Sequence, residues 1–242
     1  MEYIHELLGY KNIKIIQKEE MFRFSLDSML LAYFVNVKNE DRVVDLGCGN
    51  GPIPLFLSLK TKGKIYGIEI QEEVYDLAKR SVVLNNMEEQ ICILNEDIID
   101  IYKIIGANSF EIVTTNPPYF KYNQSSNVNK SDYKTIARHE VLINLEQIIK
   151  EASKLLVDGG SLNIVYRVSR LNDLLSEFNK CNFGIKRIQY VYPKISSNEA
   201  LIMLVEAKKN RPSDVKVLKP LYVLDKNGEY TPEVLKIFNF KK

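Results

Sequence analysis

Asn116-Pro117-Pro118-Tyr119 is the run of residues in this chain with the most specific chemical potential. An amine conjugated to a carbonyl or an aromatic ring is a poor nucleophile, because its lone pair is delocalised. The Asn116 side-chain oxygen and the Pro117 carbonyl are two acceptors able to take one hydrogen each from such an amine, leaving the lone pair aimed at an electrophile. Proline has no amide hydrogen and fixes its own φ, so the tandem prolines hold both acceptors rigidly. Tyr119 adds a flat face on which a planar base can stack.

A second group lies upstream in Asp45-Leu46-Gly47-Cys48-Gly49-Asn50-Gly51. Gly47 and Gly49 allow the backbone to turn tightly and to approach a ligand without obstruction by a Cβ. The helix expected after the loop is placed to present amides to a carboxylate. Glu69, 24 residues after Asp45, is spaced to accept hydrogen bonds from ribose hydroxyls. A nicotinamide-dependent dehydrogenase uses a similar turn. Its spacing is Gly-x-Gly-x-x-Gly, however, whereas here it is Gly-x-Gly-x-Gly with an acid two residues before the first glycine.

For these residues to meet, they must stand where strands give way to loops. From residue 42 onward short apolar runs alternate with longer amphipathic segments, the sign of an α/β chain with a mostly parallel sheet. Strands are predicted near Arg42–Asp45, Lys64–Glu69, Ile91–Leu94, Phe110–Thr115 and Leu162–Tyr166. Helices are predicted over Pro52–Lys60, Gln71–Asn86, Leu145–Leu156 and Leu171–Phe178, the third stopped by Asp158-Gly159-Gly160. Ile185–Tyr192 and Leu201–Glu206 should close the sheet as an antiparallel pair. On this reading Asp45, Glu69, Asp97 and Asn116 follow four successive strands, at the edge where parallel sheets bind ligands. Before the core, Ile13–Ile16 and Phe22–Phe24 suggest a small hairpin, and Leu26–Phe34 a helix capped by Ser25. The polar stretch 121–134 reads as a loop.

Composition sets the outer bounds. With 242 residues, 45% of them hydrophobic and 26% charged, the chain suits one globular domain with additions. The expected layout is an N-terminal extension over 1–41, a core over 42–208 and a C-terminal extension over 209–242. No apolar run is long enough to span a bilayer and the start lacks the order of a signal peptide, which makes the cytoplasm the default location. Cys48, Cys92 and Cys181 fit neither a zinc site nor a full disulfide set and read as buried free thiols. No metal is expected. The net charge of +2 neither demands nor excludes a polyanionic partner. Local clusters at Lys186, Arg187 and Lys194, at Lys208, Lys209 and Arg211, and at Lys241 and Lys242, with Tyr190 and Tyr192 nearby, are the candidate contacts to nucleic acid.

The residues quoted, together with Phe22-Arg23-Phe24-Ser25-Leu26-Asp27-Ser28, Ala137-Arg138-His139-Glu140 and Tyr230-Thr231-Pro232-Glu233, resemble those of bacterial tRNA adenine-N6-methyltransferases. That family modifies the adenosine at position 37, beside the anticodon, of a valine tRNA. The resemblance implies a Rossmann-like class I methyltransferase fold, a mostly parallel seven-stranded sheet with helices on both faces and a short N-terminal extension. It implies S-adenosyl-L-methionine as cofactor, with Asp45 near its amino acid end, Gly47 and Gly49 beneath it, Glu69 on the ribose, Asp97 on the adenine amine and Asn116 between cofactor and target. Asn116, Pro117 and Tyr119 would be the catalytic set, and the anticodon stem-loop of tRNA the partner. Phe24, Ser25 and Asp27 would line the pocket, or merely cap and form a core helix. Methyltransferases for glutamine in release factors or for guanine in ribosomal RNA share the motif; the former carry a helical domain ahead of the cofactor loop, and only 44 residues precede Asp45 here.

Overall fold

The computed structural model describes residues 1–7, 10–18, 26–117 and 143–238. In chain order the strands are β1 (Glu2–Leu7), β2 (Tyr10–Lys18), β3 (Val43–Leu46), β4 (Ile65–Ile68), β5 (Ile91–Leu94), β6 (Phe110–Thr115), β7 (Leu156–Arg167), β8 (Phe183–Lys194), β9 (Ile202–Lys209), β10 (Lys216–Val217) and β11 (Leu221–Leu224). The helices are α1 (Leu26–Phe34), α2 (Pro52–Leu57), α3 (Glu72–Leu84), α4 (Tyr102–Ile105), α5 (Leu145–Leu155), α6 (Leu171–Lys180) and α7 (Pro232–Phe238). Among the described residues no helix is long and apolar enough to cross a membrane.

The main sheet runs β5-β4-β3-β6-β7-β9-β8, parallel except for β9, which lies antiparallel between β7 and β8. This is the seven-stranded, mostly parallel sheet expected. Beyond it, β10 and β11 both pair in parallel with β8, giving nine strands in all. Neighbouring residues of each inner strand serve opposite faces, as the pleat requires. Val43, Ile112 and Val165 enter one core with α1, α2 and α7, while Val44, Val113 and Ile164 enter the other with α5 and α6.

The departures from expectation have local causes. The partner of the Ile13–Ile16 run is Glu2–Leu7, with Ile4 opposite Ile16; Phe22–Phe24 and Ser25 lie outside the described residues, as does 121–134. The β7 strand begins at Leu156 rather than after the glycine pair. Phe110 pairs with Leu156 and Ile112 with Ser161, so the intervening residues bulge out of register, with Gly159 at φ +75°. The short α4, β10, β11 and α7 left no pattern that announced them, and both residues of β10 are exposed. Of the thiols, all free, Cys48 is buried, Cys181 half-buried and Cys92 exposed, because Cys92 points outward from edge strand β5. At the end of the sheet where the parallel strands begin, four tight connections turn on left-handed asparagines, Asn86, Asn108, Asn182 and Asn210, with φ between 48° and 56°.

Candidate active site

Strand β3 is flanked in parallel by β4 and β6, and the chain leaves it in one direction and later returns on the other side. Such a reversal opens a crevice beyond the strands' carboxyl ends. Asp45 and Leu46 stand in register with Thr114 and Thr115, so the glycine loop and Asn116 emerge side by side. The site is therefore a direct product of strand order.

Asp45 is 1% exposed. Its Oδ1 accepts from the Thr114 hydroxyl at 2.7 Å, and its Oδ2 is buried with no partner among the described residues. Burial pushes its carboxyl up to about 8, opposed by the Thr114 hydrogen bond and reinforced by the nearby charge of Glu69. A buried carboxylate oxygen with an unmet lone pair asks for a cation or a donor. Beyond it Gly47 and Gly49 hold φ of +72° and +56°, and a Cβ on either would meet nothing within 4 Å. The loop is thus an open, left-handed cradle, which L side chains would both strain and fill.

Four of the loop's own amides point back into the protein. Gly47 and Cys48 both donate to Ile68 O, at 3.0 and 2.9 Å, and Gly51 donates to Cys48 O. Gly49 donates to Glu69 Oε2 at 3.0 Å. Pro52 and Pro54 have no N–H, and the Leu55 amide is taken by Gly51 O. This corrects the expectation that α2 offers a set of amides to a carboxylate: of its first three residues only Ile53 has one.

Glu69 is 6% exposed and follows β4 directly. Its Oε1 accepts from the Gln71 amide at 2.9 Å and its Oε2 from Gly49. Burial raises its carboxyl above the usual range while these backbone hydrogen bonds oppose the rise. Oε1 also accepts from Gln71 Nε2 at 3.4 Å, so with two acceptor positions per oxygen it is Oε2 that can still receive a hydroxyl donor. Asn95 ties the next loop to this one by donating to Glu69 O at 2.9 Å and Ile70 O at 3.1 Å. Asp97 is exposed two residues further on, its Oδ1 accepting from the Ile99 amide at 2.9 Å.

Asn116 is half-buried at the end of β6 and Pro117 is buried. The Asn116 Nδ2 donates to the Ser28 hydroxyl at 2.9 Å; in this orientation Oδ1 is the acceptor end of the amide. Ser28, in the first turn of α1 and 88 residues away in sequence, is the site residue that sequence reasoning missed; its only signal was its place in the Phe22–Ser28 segment. Asp27 is half-buried beside it. The helix bearing Ser28 is fixed at its far end, where Lys60 Nζ donates to the carbonyls of Ala32 (3.1 Å), Tyr33 (2.9 Å) and Val35. Burial, with Arg187 nearby, lowers Lys60 to about 8. Helix α7 braces α1 as well, its Val234, Ile237 and Phe238 joining the same core. The Tyr230-Thr231-Pro232-Glu233 motif is the start of that brace: Thr231 accepts from the Val234 amide, and Pro232 takes the first helical position. Pro118, Tyr119, Phe24, Ser25, Arg138 and His139 lie outside the described residues.

Most of the basic clusters do not converge here. Lys208, Lys209 and Arg211 lie at the opposite end of the sheet, where Lys209 donates to Asn108 and Leu156 O and Arg211 pairs with Asp158 at 2.7 Å. Arg187 pairs with Glu206, and Lys186 donates to Pro212 O. Lys194, at the carboxyl end of β8, shares the rim of Asn116. Lys241 and Lys242 are outside the described residues.

Known structures carry the same architecture. A predicted O-methyltransferase from Agrobacterium tumefaciens superposes with a TM-score of 0.68 over 88% of this chain and 95% of its own, at 24% identity. The Methanocaldococcus jannaschii tRNA m1G37 methyltransferase does so with a TM-score of 0.60 over 87% of this chain and 55% of its own, at 19% identity. Fold and crevice together define a Rossmann-like class I methyltransferase architecture. Residues 13–191 match the family model described as methyltransferase small domain, and the chain belongs to that family. Its curated relatives include proteins named tRNA1(Val) (adenine(37)-N6)-methyltransferase. The one from Porphyromonas gingivalis is 29% identical over 70% of this chain and 68% of its own length, and that from Dyadobacter fermentans 22% identical over 96% of both.

Proposed function

We propose that this protein transfers a methyl group from S-adenosyl-L-methionine to the exocyclic N6 amine of an adenosine in tRNA, adenosine 37 of valine tRNA. The observation that carries the reading is the anchoring of Asn116: its amide is oriented by Ser28 at the mouth of the open glycine cradle. The names of the relatives supply the substrate. In this reading 42–208 is the catalytic core, with extensions over 1–41 and 209–242.

The residues present suit the cofactor. The cradle at Gly47 and Gly49 has room where side chains would stand. The unmet Asp45 Oδ2 suits an α-ammonium group, the Glu69 carboxylate suits ribose hydroxyls, and Asp97 suits an adenine amine. When bound, the cofactor supplies a methyl group made electrophilic by its attachment to a sulfonium. Asn116 Oδ1 and the Pro117 carbonyl accept the two hydrogens of the target amine and turn its lone pair toward the cradle. Their hold tightens as the nitrogen becomes tetrahedral, so it favours the transition state over the bound base. Tyr119 stacks on the base, which must leave the anticodon loop to arrive; an unpaired nucleotide does so at little cost.

The deciding experiment is nucleoside mass spectrometry after incubation of the purified protein and cofactor with unmodified total tRNA, ribosomal RNA and release factor. N6-methyladenosine at position 37 of valine tRNA is the expected product. Methylation of ribosomal guanine or of a release-factor glutamine instead would overturn the assignment.

A further inference from the structure

Strand β2 carries a glutamine at the end of an inward-facing row. Ile13 and Ile15 point into the core shared with α1 and α2. The alternate residues face α3, where Ile16 packs on Leu77 and Val74, and Lys18 pairs with Glu73 at 3.1 Å. By the strand's two-residue period Gln17 points with Ile13 and Ile15. Its location along the molecule is fixed on both sides: Asn50 of the glycine loop donates to Ile16 O at 3.0 Å, and Glu73 stands in the first turn of α3, four residues beyond Glu69. Gln17 therefore stands beside the glycine loop, one residue from the carbonyl that Asn50 binds. It is 7% exposed, and its Nε2 is buried without a hydrogen-bond partner among the described residues. Leaving a buried amide donor unmet is costly, and a side chain of this kind beside an open cradle calls for an acceptor supplied from elsewhere.

The loop makes the same demand from the other side. An anion at a glycine turn normally meets the amides of the loop and of the following helix. Here those of Gly47, Cys48, Gly49 and Gly51 are engaged, and Pro52 and Pro54 have none. Yet Asp45 presents an unmet acceptor at the start of the same loop. One unmet donor on the strand that Asn50 binds and one unmet acceptor at the start of the glycine turn match the two charges of an α-amino acid.

We infer that the Gln17 side-chain amide binds the carboxylate of the methionine moiety of S-adenosylmethionine, with Asp45 receiving the ammonium. The inference rests on the cofactor reading given above and adds a ligand-positioning residue from outside the sheet.

Calorimetric titration with S-adenosylmethionine and with its decarboxylated form tests it without any turnover. The wild-type protein should prefer the carboxylated ligand by roughly tenfold or more, the usual weight of a hydrogen bond to a charged group. Gln17→Ala and the near-isosteric Gln17→Met should bind the two ligands equally, at about the wild-type affinity for the decarboxylated one. Gln17→Glu should bind the carboxylated ligand worst of all, since like charges meet. A wild-type protein indifferent to the carboxylate, or folded Ala and Met variants that keep the wild-type preference, would overturn the role of Gln17 while leaving the cofactor assignment intact. Failure of the wild type to bind either ligand would overturn both.

Discussion

The buried carboxyl of Asp45 makes cofactor binding a proton-linked event. With its folded-state value at about 8, roughly one molecule in ten carries an ionised Asp45 at pH 7 and roughly one in a hundred at pH 6. If Asp45 must be ionised to receive an ammonium, affinity for S-adenosylmethionine should rise about tenfold between pH 6 and pH 7, or about 1.4 kcal/mol, with close to one proton released per ligand bound. The ligand's own α-amino group stays mostly protonated in this window, because such groups titrate near 8. The free protein should show the opposite trend. Asp45 is raised above its unfolded value near 4, so the folded state holds the extra proton between those two values, and stability falls as pH rises from about 4 to 8. Asp45→Asn mimics the neutral form: it should flatten both profiles and bind more weakly than wild type at pH 8. Glu69 is also raised by burial, and the Asn variant isolates the contribution of Asp45 from it. Calorimetry at pH 6.0, 6.5 and 7.0, in two buffers of different ionisation enthalpy, counts the protons. Wild-type affinity that is flat across this window, or a slope that survives in Asp45→Asn, would refute the reasoning.

Asn116→Ala should slow single-turnover methylation of tRNA by roughly 10²-fold or more, as for loss of one preorganised transition-state partner, with cofactor affinity nearly unchanged; transfer at the parent rate would sink the catalytic role. Ser28→Ala should act through Asn116 by freeing its amide to rotate, lowering the rate by about fivefold, near the 1 kcal/mol worth of one neutral hydrogen bond. Its effect should vanish in the Asn116→Ala background, as a double-mutant cycle would reveal. Glu69→Ala should weaken cofactor binding by about 1 to 3 kcal/mol, and also loosen the loop that Gly49 anchors, seen as faster hydrogen exchange at the Gly49 amide. Binding of tRNA should weaken steeply between about 50 and 200 mM salt while cofactor binding scarcely changes; equal sensitivity of both, measured by filter binding and calorimetry, would count against a phosphate-gripping surface.

The sheet and the ends of its strands were legible in the sequence because they are governed by short-range pattern. Phe110–Thr115 and Ile91–Leu94 are apolar runs bounded by polar residues, and they became strands with those bounds. Asp45, Glu69 and Asn116 could be placed at one rim because strand-to-loop transitions of a parallel sheet share an end. What escaped was long-range. Nothing near Asn116 indicates that Ser28 will hold it, since the contact exists only once α1 has docked. Gln17 lies just beyond the Ile13–Ile16 run and carried no signal of its own in the sequence; its meaning depends on Asn50 reaching Ile16 O. Glu2–Leu7 was not read as a partner of Ile13–Ile16, because that pairing is held in place by tertiary ties, among them the bidentate Arg80–Glu2 pair at 2.8 and 2.9 Å. The amides of α2 were credited with a role that its two prolines and the bond from the Leu55 amide to Gly51 O deny them.

The four left-handed asparagine turns at the far end of the sheet divide the molecule into a working rim and a joinery rim. The described residues argued to touch ligand stand at or beyond the carboxyl ends of parallel strands or on β2 and α1, whereas Asn86, Asn108, Asn182 and Asn210 turn the chain at the other end. A probe or fused domain inserted beside Asn86 or Asn182 would stand a full strand length from the cradle. That rim is the natural handle for tethering the enzyme to a surface or a dye while leaving the route of a bulky RNA to the opposite side unobstructed.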